Sequence, residues 1–185
     1  MSEIEDKILK LRNSLKSDRL DMSFGEIMNL YEDGDLIISP EYQSDFWWND
    51  KQRSDFIESI LLGIPIPPIF VAEDESGRWE LLDGLQRIFT ILSFFELLEC
   101  VDDIEKESCK KLVSTELAGD ILDNITLNDL PLKMRIFIKR TVCRVEILRL
   151  NGNINMKYHI SKRLHTSKVI FIENGYSQEN IPMNS

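Results

Sequence analysis

Trp79-Glu80-Leu81-Leu82-Asp83-Gly84-Leu85-Gln86-Arg87-Ile88-Phe89-Thr90-Ile91-Leu92 is the stretch on which the reading of this chain turns. An apolar strand runs into Asp83-Gly84, and an amphipathic helix follows at once with Gln86 and Arg87 in its first turn. A joint of this kind presents backbone N–H groups and the positive end of a helix dipole, here with a guanidinium beside them. Such a place suits an anion, most often a phosphate. A plainer alternative is that Asp83 caps the helix while Gly84 relaxes the turn. The residues alone leave both open.

Upstream, Ile64-Pro65-Ile66-Pro67-Pro68 cannot be helical and is expected to be extended, delivering the chain into a strand over 69–72. Glu73 to Gly77 reads as a hairpin turn back into Arg78–Leu82. Asn49 or Asp50 is placed to cap a helix whose apolar face is Phe56, Ile57, Ile60 and Leu61, with Gly63 as its stop. Leu36-Ile37-Ile38 reads as a buried strand, and Ser23 with Glu26 as a capping box opening a short helix that Gly34 ends. Ile4, Ile8, Leu9, Leu11 and Leu15 have helical spacing at the N-terminus.

Downstream, the helix from Leu85 is expected to run to about Leu98 and to be mostly core, with Gln86, Thr90 and Ser93 as a thin polar stripe. The acidic stretch 99–129 reads as short helices and loops. A helix opens at Leu130-Pro131 and runs to about Lys139, Thr141–Leu148 alternates as a strand, and a helix is expected over 154–164 after an Asn151-Gly152 turn.

The 185 residues, 43% of them apolar and nine of them Phe, fit a folded globular domain with a real core. No apolar run reaches membrane-spanning length; Ile88–Leu98 is interrupted by Thr90, Ser93 and Glu96. Met-Ser-Glu-Ile-Glu-Asp-Lys lacks the order of a secretory signal, and Cys100, Cys109 and Cys143 form no Cys-x-x-Cys pair. These point to a reduced cytoplasmic setting without a membrane partner. With only His159 and His165, no metal centre is expected.

A net charge of −10 argues against a surface coated for nonspecific DNA binding. The distribution is uneven: residues 96–130 hold ten acids and three bases, residues 131–168 ten bases and one acid. This is either a polyanion-binding face or two segments that pack with complementary charge.

Three polar clusters are candidates for chemistry. The loop Ser39-Pro40-Glu41-Tyr42-Gln43-Ser44-Asp45-Phe46-Trp47-Trp48 joins aromatics and amides, as stacking on a base requires; alternatively its tryptophans fasten the loop to the core. The second cluster is Asp83, Gly84, Gln86 and Arg87. The third is Lys162-Arg163-Leu164-His165-Thr166-Ser167, which could meet a phosphate or simply be a solvated helix end.

In order along the chain, Pro40-x-Tyr42-Gln43, Ser59-Ile60-Leu61-Leu62-Gly63-Ile64-Pro65-Ile66-Pro67-Pro68-Ile69, Asp83-Gly84-x-Gln86-Arg87 and Arg163-Leu164-x-Thr166 resemble the N-terminal domain of GmrSD-type modification-dependent restriction systems, within the ParB/sulfiredoxin-like superfamily. The resemblance covers about Ser23 to Thr166. It implies an α+β fold, a small mixed β-sheet with surrounding helices, over residues 1–168, with 169–185 as a divergent tail that looks truncated. It also implies a pocket for a nucleotide or DNA phosphate, with the Asp-Gly-Gln-Gln-Arg signature tied to NTP hydrolysis during recognition of modified foreign DNA. On that basis Asp83, Gln86 and Arg87 are the expected catalytic residues. Gly84, Tyr42, Gln43, Arg163 and Thr166 are the expected nucleotide-binding ones.

Four departures qualify this. Ser44 stands where the family has Arg, and Leu85 replaces the first Gln of its signature. Leu85 also sits near where sulfiredoxin carries its reactive Cys, excluding that thiol chemistry. Ser167 replaces a turn glycine, and the motif correspondence stops after Thr166, where family members continue into a helical region and often a nuclease domain. A hydrolase must hold the phosphate, offset its developing charge and position water. Losing an Arg at position 44 would weaken hydrolysis more than binding. The expectation is therefore a nucleotide- or nucleic-acid-binding module of a defence system taking an NTP, with or without Mg2+, and with weak hydrolysis. A ParB-like DNA-binding or nuclease-like domain and a non-catalytic protein-interaction remnant are the alternatives. A separate nuclease or helical chain is the further partner such a module would need.

Overall fold

The computed structural model describes residues 3–38, 48–98, 110–150 and 156–164. The tight turn after β3 (Ile69–Glu73) organises the centre of the sheet. Asp74 accepts the backbone N–H groups of Ser76 at 2.8 Å and Arg78 at 2.9 Å, and Gly77 takes φ of +86°. This Asx-type turn folds β4 (Trp79–Asp83) back antiparallel on β3, as the sequence implies. The register slips between Phe70 and Val71, a bulge opposite the end of β4 where Asp83 sits.

Two short parallel pairings flank this hairpin. β2 (Leu36–Ile37) lies parallel to β4, with Leu36 opposite Trp79. β5 (Val142–Arg149) lies parallel to β3, with Ile69 opposite Val145. Outside β5, β1 (Lys16–Ser23) pairs antiparallel along its whole length, so the order is β1-β5-β3-β4-β2. The mixed α+β sheet expected from the sequence is present. Strand β1 was not expected: Lys16-Ser17-Asp18-Arg19-Leu20-Asp21 has no apolar alternation, and all six residues are exposed.

One face of the sheet carries the main core. Against it pack α2 (Phe24–Glu32), α3 (Asp50–Leu62), α4 (Leu85–Phe94) and α5 (Leu132–Arg140) through Phe24, Ile57, Ile60, Ile88, Leu92 and Ile138, each 1% exposed or less. The other face is covered by helix α6 (156–164), whose Met156, Ile160 and Leu164 meet Ala72, Leu82 and Leu148. Capping boxes at Ser23–Glu26 and Asn49–Gln52 start α2 and α3, and Gly63 ends α3 left-handed, as their sequences imply.

Two boundaries differ from expectation. Helix α4 stops at Phe94 rather than near Leu98: Glu96 turns left-handed (φ +59°) and the Leu97 N–H bonds back to the Leu92 carbonyl at 2.8 Å. No glycine marks that stop, so the apolar run conceals it. Helix α1 (Glu3–Ser14) forms as expected but buries none of its residues. Residues 110–130 are irregular apart from two isolated β-bridges and one short turn of helix, and are tied to α3 by Glu58. That carboxylate is 4% exposed and accepts the Thr115 hydroxyl at 2.6 Å and the Ala118 N–H at 2.5 Å. The Asn151-Gly152 turn and the 169–185 tail lie outside the described residues. No helix among the described residues is long and apolar enough to cross a membrane.

Candidate functional site

Strand β4 ends at Asp83, and the residue at the cap of α4 is Gly84 itself, with φ of +101°. Glycine is required twice over. Its left-handed conformation disfavours a side chain, and a Cβ there would stand 2.5 Å from Cγ2 of Ile69 and 3.2 Å from Nη2 of Arg87. A glycine cap has no side chain to offer the first-turn amides. Asp83, the other expected cap, has instead its Oδ2 3.3 Å from Nη2 of Arg87. The same Nη2 donates to the carbonyl of Pro68 at 3.1 Å.

Asp83 and Arg87 are 3% and 8% exposed, so this is a buried ion pair one helical turn apart. Nε of Arg87 is buried without a hydrogen-bond partner among the described residues. The guanidinium is thus held in place through Nη2 by a carboxylate and a carbonyl. Pro68 and Ile69 stood out in the sequence only as part of the Ser59–Ile69 motif, with no role assigned at the joint. The proline-rich run ahead of β3 was the available signal, because a rigid extended segment beside the hairpin's open end must place its carbonyls there.

Gln86 turns toward the aromatic loop: its Oε1 accepts the backbone N–H of Trp48 at 3.1 Å. Trp48 packs on Phe56 at 5.6 Å between ring centroids, so this tryptophan fastens the end of the loop to the core. Tyr42, Gln43, Ser44 and Trp47 lie outside the described residues, as does Thr166. Because β2 and β4 run parallel, the chain leaves Ile38 and Asp83 at the same end of the sheet. Trp48, where the described chain resumes, is bonded to Gln86 at that joint. Crevices at the carboxyl ends of neighbouring parallel strands are where α/β sheets commonly take ligands.

Arg163 is placed differently. Lys157 pairs with Glu80, and the Ser161 hydroxyl donates to the Leu82 carbonyl at 3.3 Å, so α6 runs along β4 in the same direction. That carries the exposed Arg163 toward the Asp83 end, but off the opposite face of the sheet from Asp83. The structure brings together Asp83, Gly84, Gln86 and Arg87, and sets Arg163 apart from them.

Leu85, at the signature's altered position, packs against the main core. Beneath the joint lies Cys143, its Sγ 3.8 Å from the Pro67 carbonyl. Burial pushes this thiol above the usual range, with the nearby charge of Arg87 acting the other way. A buried, protonated thiol is no nucleophile. Several bases of the 131–168 segment are tied to acids of the sheet: Arg144 to Asp21 at 3.2 Å, Arg149 to Glu73 at 2.6 Å, and Lys157 to Glu80. Among the described residues no three His, Cys, Asp or Glu side chains converge as a metal site.

Fold and site together define a small α+β domain that sets a strand–Asp-Gly–helix joint, with its Gln and Arg, at one end of a mixed sheet. Residues 24–181 match the family described as the GmrSD restriction endonuclease, N-terminal domain. The chain belongs to that family, and so to a domain class of restriction systems. The match continues past Thr166, where the motif correspondence ended. No curated protein and no solved structure matches the chain, so kinship with ParB and sulfiredoxin stands as an expectation.

Proposed function

We propose that this domain binds the phosphate of a nucleotide or nucleic acid at the Asp83–Arg87 joint, as the sensing module of a restriction-type defence system. The observation that carries the reading is the buried Asp83–Arg87 pair at a glycine-capped helix start with no side-chain cap. First-turn amides would take the phosphate oxygens, and the Asp83 carboxylate and Pro68 carbonyl would orient the guanidinium rather than let it swing freely. In this arrangement Arg87 is already half committed, which supports binding more than fast hydrolysis; an NTP is the expected ligand, and Mg2+ would accompany its phosphates. A DNA-binding role has less to rest on, because Arg144, Arg149 and Lys157 are engaged within the sheet.

The test is thermal unfolding of the intact chain with each NTP, with and without Mg2+, beside phosphate release under the same conditions. One NTP is expected to raise Tm in proportion to the logarithm of its concentration, and Arg87→Gln to remove that shift. No movement of Tm by any NTP at concentrations on the order of millimolar defeats the reading.

A further inference from the structure

At the far end of α4 from the joint, a cavity of about 740 Å3 opens between α2 and α5. Its two walls differ in chemistry. Helix α5 supplies Arg135, Lys139 and Arg140, while α2 supplies Asn29 and Glu32. Leu97, Leu127, Leu132 and Ile136 line the space with apolar surface. Glu26 also reaches this wall, and its Oε2 accepts the Ser23 hydroxyl at 2.7 Å and the Ser23 N–H at 2.8 Å.

Two of the cations have observable states. Nζ of Lys139 lies 5.4 Å from the centroid of the Phe95 ring, a cation–π contact that holds its charge at the cavity's edge. Nε of Arg135 is buried and lacks any hydrogen-bond partner among the described residues. That atom is sealed from solvent, so a ligand in the cavity would meet Arg135 through the side chain's other atoms. The cavity's volume falls in the range of small-molecule sites.

We propose that this cavity is a second binding site, for a small amphipathic organic anion: an anionic head against Arg135 and Arg140, an apolar body on the leucine-lined wall, and hydrogen-bond donors toward Asn29 and Glu32. A nucleoside monophosphate has this order of parts, with a phosphate, a flat weakly polar body and an amino edge, and is the probe. The site is independent of the proposed ligand at Asp83–Arg87, lying at the opposite end of α4.

The experiment titrates the intact protein with AMP, adenosine and inorganic phosphate, following the Arg135 Nε–Hε resonance by NMR and measuring Kd by calorimetry. AMP is expected to shift that resonance with saturation. Adenosine and phosphate alone should each bind roughly tenfold or more weakly, since each lacks one half of the recognition. Arg135→Ala should weaken AMP by about tenfold or more, whereas Gly77→Ala, in the β3–β4 turn and away from both sites, should leave this binding intact. The proposal is overturned if AMP leaves the Arg135 resonance unmoved, if phosphate alone matches AMP, or if folded Arg135→Ala binds AMP as tightly as the unaltered protein. The resonance of the unaltered protein keeps the test decisive even if Arg135→Ala does not fold.

Discussion

At position 84 two demands meet. The backbone is left-handed, and an added Cβ would stand 2.5 Å from the fully buried Ile69 side chain. Gly77 is also left-handed (φ +86°) but faces open space. Gly77→Ala is therefore expected to cost about 1 kcal/mol, the conformational penalty alone. Gly84→Ala should cost about 2–4 kcal/mol, because overpacking against Ile69 adds to it. Urea unfolding of the two variants checks this, and equal costs would refute the steric argument. The Asp83–Arg87 pair makes a second prediction. Removing either partner strands a buried charge, so Asp83→Asn and Arg87→Met should each destabilise by about 3–5 kcal/mol. The double variant should cost far less than their sum, since it leaves no buried charge unpaired. Additive costs would mean that the two side chains are energetically independent despite their 3.3 Å contact.

Among the elements, those that follow local rules were legible in the sequence. The hairpin over 69–83, the capped α3 and the alternation of β5 are set by residues a few positions apart: Asp74 with Gly77, Asn49 with Gln52, and Cys143, Val145 and Ile147 facing one way. The joint was legible as a strand–glycine–helix transition, but not its internal arrangement. In the sequence Asp83 reads as a helix cap or as part of an anion site, and its pairing with Arg87 shows only once the carbonyl of Pro68 and the bulge at Phe70 are in place. Strand β1 was invisible because an exposed edge strand needs no apolar face; its pairing with β5 is a long-range fact absent from its own residues. The family match starts at residue 24, yet β1 covers the whole edge of β5. A chain lacking residues 1–22 should thus fold poorly or self-associate through the bared β5 edge. Size-exclusion chromatography with light scattering reads this directly: a stable monomer of the shortened chain would show that β1 is dispensable.

Across the whole molecule, the excess of acid is arranged rather than merely tolerated. Five carboxylates on different elements are held below their ordinary range: Asp18 by the Arg19 N–H, Glu26 by the Ser23 hydroxyl, Glu73 by Arg149, Asp74 by the Ser76 hydroxyl and Asp129 by the Thr126 hydroxyl. They secure the β1–β5–β3 seam, the start of α2, the hairpin and the turn before α5. For a carboxylate lowered on folding, the stabilisation is complete above its unfolded value, 4.5 for Glu and 3.8 for Asp, and is lost as pH falls through the folded one. An opposing effect operates higher up. With a net charge of −10 at pH 7, partial protonation between pH 7 and 5 relieves self-repulsion without touching the lowered groups. Stability should accordingly hold or rise slightly on acidification to about pH 5, then fall steeply below about pH 4 as these anchors take up protons. Added salt should flatten the upper limb more than the lower, because exposed repulsion is screened while short hydrogen bonds are not. Thermal unfolding across pH at two salt concentrations measures both limbs. A Tm that declines steadily from pH 7 downward would show that other titrating groups, and not these five carboxylates, govern the acid limit of the fold.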